Sequence, residues 1–124
     1  MRVLIADDSV IVRERLVSLL ADLEGIEVIG QAEDANEARS LAARLKPDVA
    51  ILDLRMPKGS GADVLSELKK LEPAPKVIML TNYPHAENKK KCIDGGADHF
   101  FDKSTEFQRV VSVLKDMLPG PAKA

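Results

Sequence analysis

The sequence predicts an α/β fold, a parallel sheet with helices on both faces. Three observations predict it. Short apolar runs alternate with helix-patterned segments five times along the chain. The central run, Val49-Ala50-Ile51-Leu52-Asp53, is apolar without interruption up to its closing carboxylate, the pattern of a strand buried on both faces. At 124 residues, 45% hydrophobic and 31% charged, the chain matches one domain with a substantial core.

Taken in order, Arg2-Val3-Leu4-Ile5-Ala6 is the first strand and ends in Asp7-Asp8. Ser9 can cap a helix in which Val12, Leu16, Leu19, Leu20 and Leu23 share one face, with Gly25 ending it. Glu27 to Ala32 is a more polar strand and suits a sheet edge. Asp34 and Glu37 have capping-box spacing. The helix they open buries Ala35, Ala38, Leu41, Ala42 and Leu45, and Lys46-Pro47 stops it. After the central strand, Pro57, Gly59 and Gly61 supply a tight turn. Val64, Leu65, Leu68 and Leu71 form a third helix closed by Pro73 and Pro75. Lys76 to Leu80 is the fourth strand and ends in Thr81. Ala86 to Asp94 is a weak helix, with only Ala86, Cys92 and Ile93 apolar, and Gly95-Gly96 terminates it. Asp98 to Phe101 is the fifth strand, followed by Asp102-Lys103. Ser104 or Thr105 caps a last helix with the stripe Phe107, Val110, Val111, Leu114 and Leu118, broken by Pro119-Gly120-Pro121.

Composition narrows the class. With no Trp, one Tyr and three Phe, the core must come from Val, Ile, Leu, Ala and Met. A net charge of -2 argues against a nucleic-acid surface, so no direct contact with nucleic acid is expected. The single Cys92 excludes an internal disulfide and suits a reducing compartment. No stretch reaches the ~20 apolar residues of a membrane span. Met1-Arg2 leads straight into a strand, unlike a signal peptide, so a cytoplasmic location without membrane attachment is expected.

Right-handed crossovers restrict the topology, and the flavodoxin-like order 2-1-3-4-5 puts strands one and three together at the switch point, in a (βα)5 three-layer sandwich. Asp7, Asp8 and Asp53 then converge at the carboxyl edge, with Thr81 and Lys103 arriving from strands four and five. Read alone, Asp7-Asp8 is as readily an N-cap pair, Asp53 a turn residue and Thr81 a strand-end hydroxyl. Together they are different, because carboxylates ~4 Å apart repel by roughly 1–4 kcal/mol per pair. A hard divalent cation or a lysine relieves this, and oxygen-only ligands suit Mg2+. An Asp, a metal site, a Lys and a Thr are the parts needed to move a phosphoryl group onto a carboxylate.

At these residues the chain resembles the receiver domain of bacterial two-component response regulators, of the chemotaxis-regulator kind. The resemblance runs from Val3 to Leu118 and rests on Asp7-Asp8, Asp53 within Leu-Asp-Leu-Arg-Met-Pro, Gly61, Thr81, Gly96-Ala97-Asp98 and Lys103. It implies a receiver domain over residues 1–119 with a short tail at 120–124. It implies that Asp53 is phosphorylated by a sensor histidine kinase or phosphotransfer protein, with Thr81 and Lys103 assisting. Mg2+ would be held by Asp8, Asp53 and the backbone carbonyl of Arg55, with Asp7 acting through water. Thr81 and Phe100 would be the switch pair, and the face of helix four, strand five and helix five would pass the signal to an output protein or domain. The chain would be a phosphoprotein of a phosphorelay, a monomer or weak phosphorylation-dependent dimer, and not an enzyme.

Two positions depart from the family pattern. Asn82, followed by Tyr83-Pro84, stands where a small residue is usual, and its bulk can slow access of phosphodonor or water. Ser104 stands where Pro is frequent, so no cis peptide is expected there. His85 and His99 lack metal-ligand spacing, Cys92 reads as a small buried side chain, and Lys89-Lys90-Lys91 reads as a solvated face or a docking patch. Two other functions are disfavoured. A phosphohydrolase with an Asp nucleophile carries a second Asp two residues on, where this chain has Arg55; a flavin module needs a Ser/Thr/Gly phosphate loop where this chain has Asp7-Asp8. Gly30-Gln31-Ala32-Glu33-Asp34-Ala35 resembles receivers fused to DNA-binding domains, which leaves open an N-terminal fragment of a transcriptional regulator.

Overall fold

Each apolar run forms a strand of one parallel sheet. A computed structural model describes residues 1–118. The strands are β1 (Arg2–Ala6), β2 (Glu27–Ala32), β3 (Val49–Leu52), β6 (Lys76–Thr81) and β7 (His99–Asp102), in the order β2-β1-β3-β6-β7. This is the flavodoxin-like 2-1-3-4-5 arrangement once the main-sheet strands are counted in sequence. The helices are α1 (Val10–Ala21), α2 (Ala35–Leu45), α3 (Gly61–Leu68), α4 (Ala86–Asp94) and α5 (Arg109–Met117).

Strand side chains alternate between faces, and this alternation sorts the core into two layers. Val3, Ile5, Val49, Ile51, Ile78, Leu80 and Phe101 pack with Leu16 and Leu20 of α1 and Val110 and Leu114 of α5. Leu4, Ala6, Ala50, Leu52, Val77, Met79 and Phe100 pack with α2, α3 and Cys92 of α4. Both Phe100 and Phe101 are therefore core residues, one in each layer. The small stripe of Ala35, Ala38 and Ala42 lets α2 lie close to the sheet. Cys92 is the single buried residue of α4, and Ile93 beside it is exposed. Register carries the strand ends to one edge: Ala6 pairs with Leu52, Leu52 with Met79 and Thr81 with Asp102.

Local chemistry overrides several expected boundaries. Ser104 does not cap the last helix. Its N–H and hydroxyl both donate to Asp102 Oδ1, at 2.8 and 2.7 Å, so the segment turns instead. Thr105 does not cap it either: α5 begins at Arg109, after Gln108, which makes no side-chain cap. Asp98 lies outside β7 because its carboxylate accepts from the Val77 amide and from Lys69. Helix α1 closes at Ala21, and Gly25 takes its left-handed φ of 86° in the following loop. Helix α3 closes at Leu68, short of Leu71.

The tight turn after the central strand is a small hairpin that sequence reading missed. Strands β4 (Arg55–Met56) and β5 (Gly59–Ser60) pair antiparallel around Pro57 and Lys58, and Lys58 holds a φ of 66°. The Ala35 amide donates to Pro57 O at 3.0 Å, fastening the hairpin to the start of α2. The peptide before Ser104 is not cis; among the described residues the cis bond is Glu72–Pro73. The break at Pro119-Gly120-Pro121, the domain end at 119 and the tail at 120–124 lie outside the described residues.

Candidate functional site

The carboxyl edge collects the residues that three strands deliver there. The Asp7 amide donates to Ala32 O, the Asp53 amide to Ala6 O, and the Lys103 amide to Thr81 O, so each side chain leaves the sheet one step past a paired strand residue. Asp7 is buried; its Oδ1 accepts from the Ser9 amide at 2.8 Å and its Oδ2 lies 2.5 Å from Lys103 Nζ. The helix cap falls to Ser9, whose hydroxyl accepts from the Val12 amide at 3.2 Å, so neither aspartate serves as the N-cap. Asp8 is exposed at the pocket mouth.

Asp53 is 6% exposed. Its Oδ2 accepts from Lys103 Nζ at 3.1 Å, while its buried Oδ1 has no hydrogen-bond partner among the described residues. Burial pushes the Asp53 carboxyl above its ordinary range; the Lys103 charge opposes this, the Asp7 charge adds to it, and the Lys103 hydrogen bond and the nearby Arg55 amide pull it back in part. Burial would pull the Lys103 ammonium down, but its bond to Asp7 and the charges of Asp53 and Asp7 outweigh this and hold it above its ordinary value.

Carboxylate oxygens of Asp7, Asp8 and Asp53 lie within 4.8 Å of one another. Three acids against one ammonium leave excess negative charge in a mostly buried pocket. Together with the orphaned Oδ1, an all-oxygen donor set of this kind fits a hard divalent cation such as Mg2+.

The other expected site residues take up different positions. Thr81 is fully buried at the end of β6, and its Oγ1 accepts from the Tyr83 amide at 3.0 Å. Arg55 sits on the hairpin, with its guanidinium 4.0 Å from the centroid of the Tyr83 ring. Phe100 lies beside Met79 in register, in the layer with α2, α3 and α4. Sequence reading missed the Arg55–Tyr83 stack and the bond from Arg13 to Asp7 O at 2.5 Å, because neither pairing leaves a local pattern.

The sequence model described as the response regulator receiver domain matches residues 3–115. The chain belongs to the response regulator receiver domain family. This receiver is 30% identical over 119 residues to response regulator GacA of Pseudomonas aeruginosa, covering 96% of the chain and 56% of that protein. It is 36% identical over 118 residues to a protein-glutamate methylesterase/protein-glutamine glutaminase of Carboxydothermus hydrogenoformans, covering 94% of the chain and 35% of that enzyme. It therefore spans about half or less of the curated relatives named here, and matches the receiver part of an enzyme such as the second. The signal receiver domain of NarL from Mycobacterium tuberculosis superposes with a TM-score of 0.86 at 30% identity, covering 93% of both chains. The response regulator domain of Thermotoga maritima CheB superposes with a TM-score of 0.82 at 31% identity, covering 94% and 91%.

Proposed function

We propose that this receiver accepts a phosphoryl group on Asp53. The observation that carries the reading is the asymmetric state of its carboxylate. Oδ2 is held by Lys103, while Oδ1 is buried and unpartnered among the described residues. One carboxylate oxygen of Asp53 attacks phosphorus, the bond to the donor's leaving atom breaks, and the leaving group departs with its electron pair. Lys103 stays protonated and offsets charge on the equatorial oxygens. The Thr81 hydroxyl donates to one of those oxygens. Asp8, Asp53 and the Arg55 carbonyl would hold Mg2+, with Asp7 acting through water, and the bound ion would neutralise charge developing on the transferred group.

A histidine kinase or phosphotransfer protein is the donor in this reading, and Thr81 and Phe100 are the switch pair. The α4–β7–α5 face then meets an output protein or domain. The chain is a substrate and a switch, with no turnover of its own assigned, and acts as a monomer or weak phosphorylation-dependent dimer in the cytoplasm. Among the described residues no helix is long and apolar enough to cross a membrane. A receiver domain at 1–119 with a tail at 120–124 completes the reading.

A second arrangement, the N-terminal receiver of a DNA-binding regulator, is favoured by the 56% coverage of GacA and by the fold shared with a LuxR-family DNA-binding regulator of Staphylococcus aureus at a TM-score of 0.85. Incubation with acetyl phosphate and Mg2+, read by intact mass, tests the core of the proposal. One added phosphoryl group is expected, lost in Asp53→Asn and impaired in Asp8→Ala. Labelling that persists in Asp53→Asn places the chemistry elsewhere.

A further inference from the structure

Strands β3 and β6 are neighbours, so the segments leaving them rise side by side from the carboxyl edge. Arg55 lies two residues past Asp53, and Tyr83 two residues past Thr81. Their side chains meet, with the guanidinium carbon 4.0 Å from the ring centroid. A cation over an aromatic face is attracted by the ring quadrupole, and at an exposed site this shifts an equilibrium roughly two- to fivefold.

Tyr83 is also held at its backbone. Its amide donates to Thr81 Oγ1 at 3.0 Å, and its carbonyl accepts from Asn88 Nδ2 of α4 at 3.0 Å. One residue thus touches the hairpin after Asp53, the hydroxyl at the end of β6, and helix α4. Thr81 is fully buried, so its hydroxyl oxygen has few alternative partners.

We propose that the Arg55–Tyr83 stack is a latch that holds the β6–α4 loop so that the Thr81 oxygen stays on the Tyr83 amide, and that engagement of a phosphoryl group by Thr81 opens it. Arg55 and Tyr83 are positioning residues here, acting on the site through Thr81. The inference rests on the proposed role of Asp53. It also gives α4 a direct link to the pocket: when Thr81 turns, the Tyr83 amide loses its acceptor, the loop loosens, and the bond to Asn88 carries the change into α4. Few apolar contacts oppose that movement, since Cys92 is the single buried residue of the helix.

The molecule contains its own probe. Tyr83 is the one tyrosine of a chain without tryptophan, so intrinsic tyrosine emission reports the surroundings of Tyr83 alone. The experiment titrates the full chain with beryllofluoride in Mg2+, reading affinity by fluorine NMR and the latch by Tyr83 emission. Variants are Tyr83→Leu, Arg55→Lys, Arg55→Ala and the Tyr83→Leu/Arg55→Ala double. Wild-type emission is expected to change on saturation, and Arg55→Ala to emit near that released level before any addition. Tyr83→Leu, which keeps the Arg55 charge, is expected to bind about two- to fivefold more tightly than wild type. Arg55→Lys is expected to stay near wild type, and the double variant to gain less than the single effects together. Unchanged wild-type emission at saturation, or affinity in Tyr83→Leu equal to or weaker than wild type, overturns the latch. Acetyl phosphate labelling separates the two failures: labelling lost in Asp53→Asn with no latch effect sinks the latch alone, and absence of labelling in wild type sinks both.

Discussion

A methyl group placed on Gly61 would stand 2.0 Å from the carbonyl oxygen of Asp53. Gly61 opens α3, and its amide donates to Leu54 O at 2.7 Å, so the backbone after β3 is pressed against the start of the helix. The glycine is required by this close approach rather than by a left-handed turn. Gly61→Ala must displace the Asp53 peptide. It is expected to cost about 1–3 kcal/mol or more in stability, the range for overpacking a dense region. Acetyl phosphate labelling is expected to fall together with it. Denaturant unfolding and intact mass measure the two effects.

Lys103 compensates two buried carboxylates, so Lys103→Met leaves Asp7 and Asp53 without their ammonium. A loss of about 3–5 kcal/mol at neutral pH is expected, the range for removing one partner of a buried pair. Asp53 is already raised above its ordinary value, and losing Lys103 raises it further. A raised carboxyl stabilises the fold below its unfolded pKa, and that contribution is lost as pH rises through the folded pKa. The deficit of Lys103→Met is therefore expected to shrink as pH falls from neutral toward about 4. Urea unfolding at stepped pH checks this; a deficit that grows on acidification is the opposite outcome.

Asp98 has the reverse sign. Burial pulls its carboxyl up, but the Lys69 hydrogen bond, the Val77 amide, and the charges of Lys69 and Lys76 outweigh this and hold it below its ordinary value. Its contribution is present above the unfolded pKa and lost as pH falls through the folded one. Asp98→Asn is expected to cost about 1.5–3 kcal/mol at neutral pH, the range for hydrogen bonds to a charged group. The difference from wild type should vanish in acid. Phosphoryl labelling of Asp53 should remain, since Asp98 lies at the opposite end of β7 from Lys103.

Helix α4 is expected to open before the rest of the fold, because Cys92 is its single buried residue and His85 gives it no side-chain cap. Burial also pushes the Cys92 thiol up, so the folded helix presents little thiolate. Disulfide-reagent labelling of Cys92 should be slow, yet faster than global unfolding allows. Amide exchange in α4 should outpace that in α1. Equal, uniformly slow exchange in both helices contradicts this.

The architecture was legible because β3 is apolar throughout and each neighbouring run reads as a strand on its own. The acids at Asp7 and Asp53 were legible because each directly follows such a run, and Asp8 because it follows Asp7. Ser104 and Thr105 were misread as caps because Asp102 Oδ1 accepts from the N–H and hydroxyl of Ser104 and draws the segment into a turn, so that the helix starts only at Arg109. The β4–β5 hairpin was missed because its strands are two residues long and leave no periodicity.

Local pattern therefore determined which segments are strands and which residues end them, and the handedness of the crossovers restricted their order in the sheet. Tertiary structure alone decided that Lys103 takes Oδ2 of both Asp7 and Asp53, that Oδ1 of Asp53 has no hydrogen-bond partner among the described residues, and that Arg55 rests on Tyr83. The physical reason is range. Hydrophobic periodicity is written into neighbouring residues, whereas a hydrogen bond or a stacked ring depends on atoms brought together only after the sheet has closed.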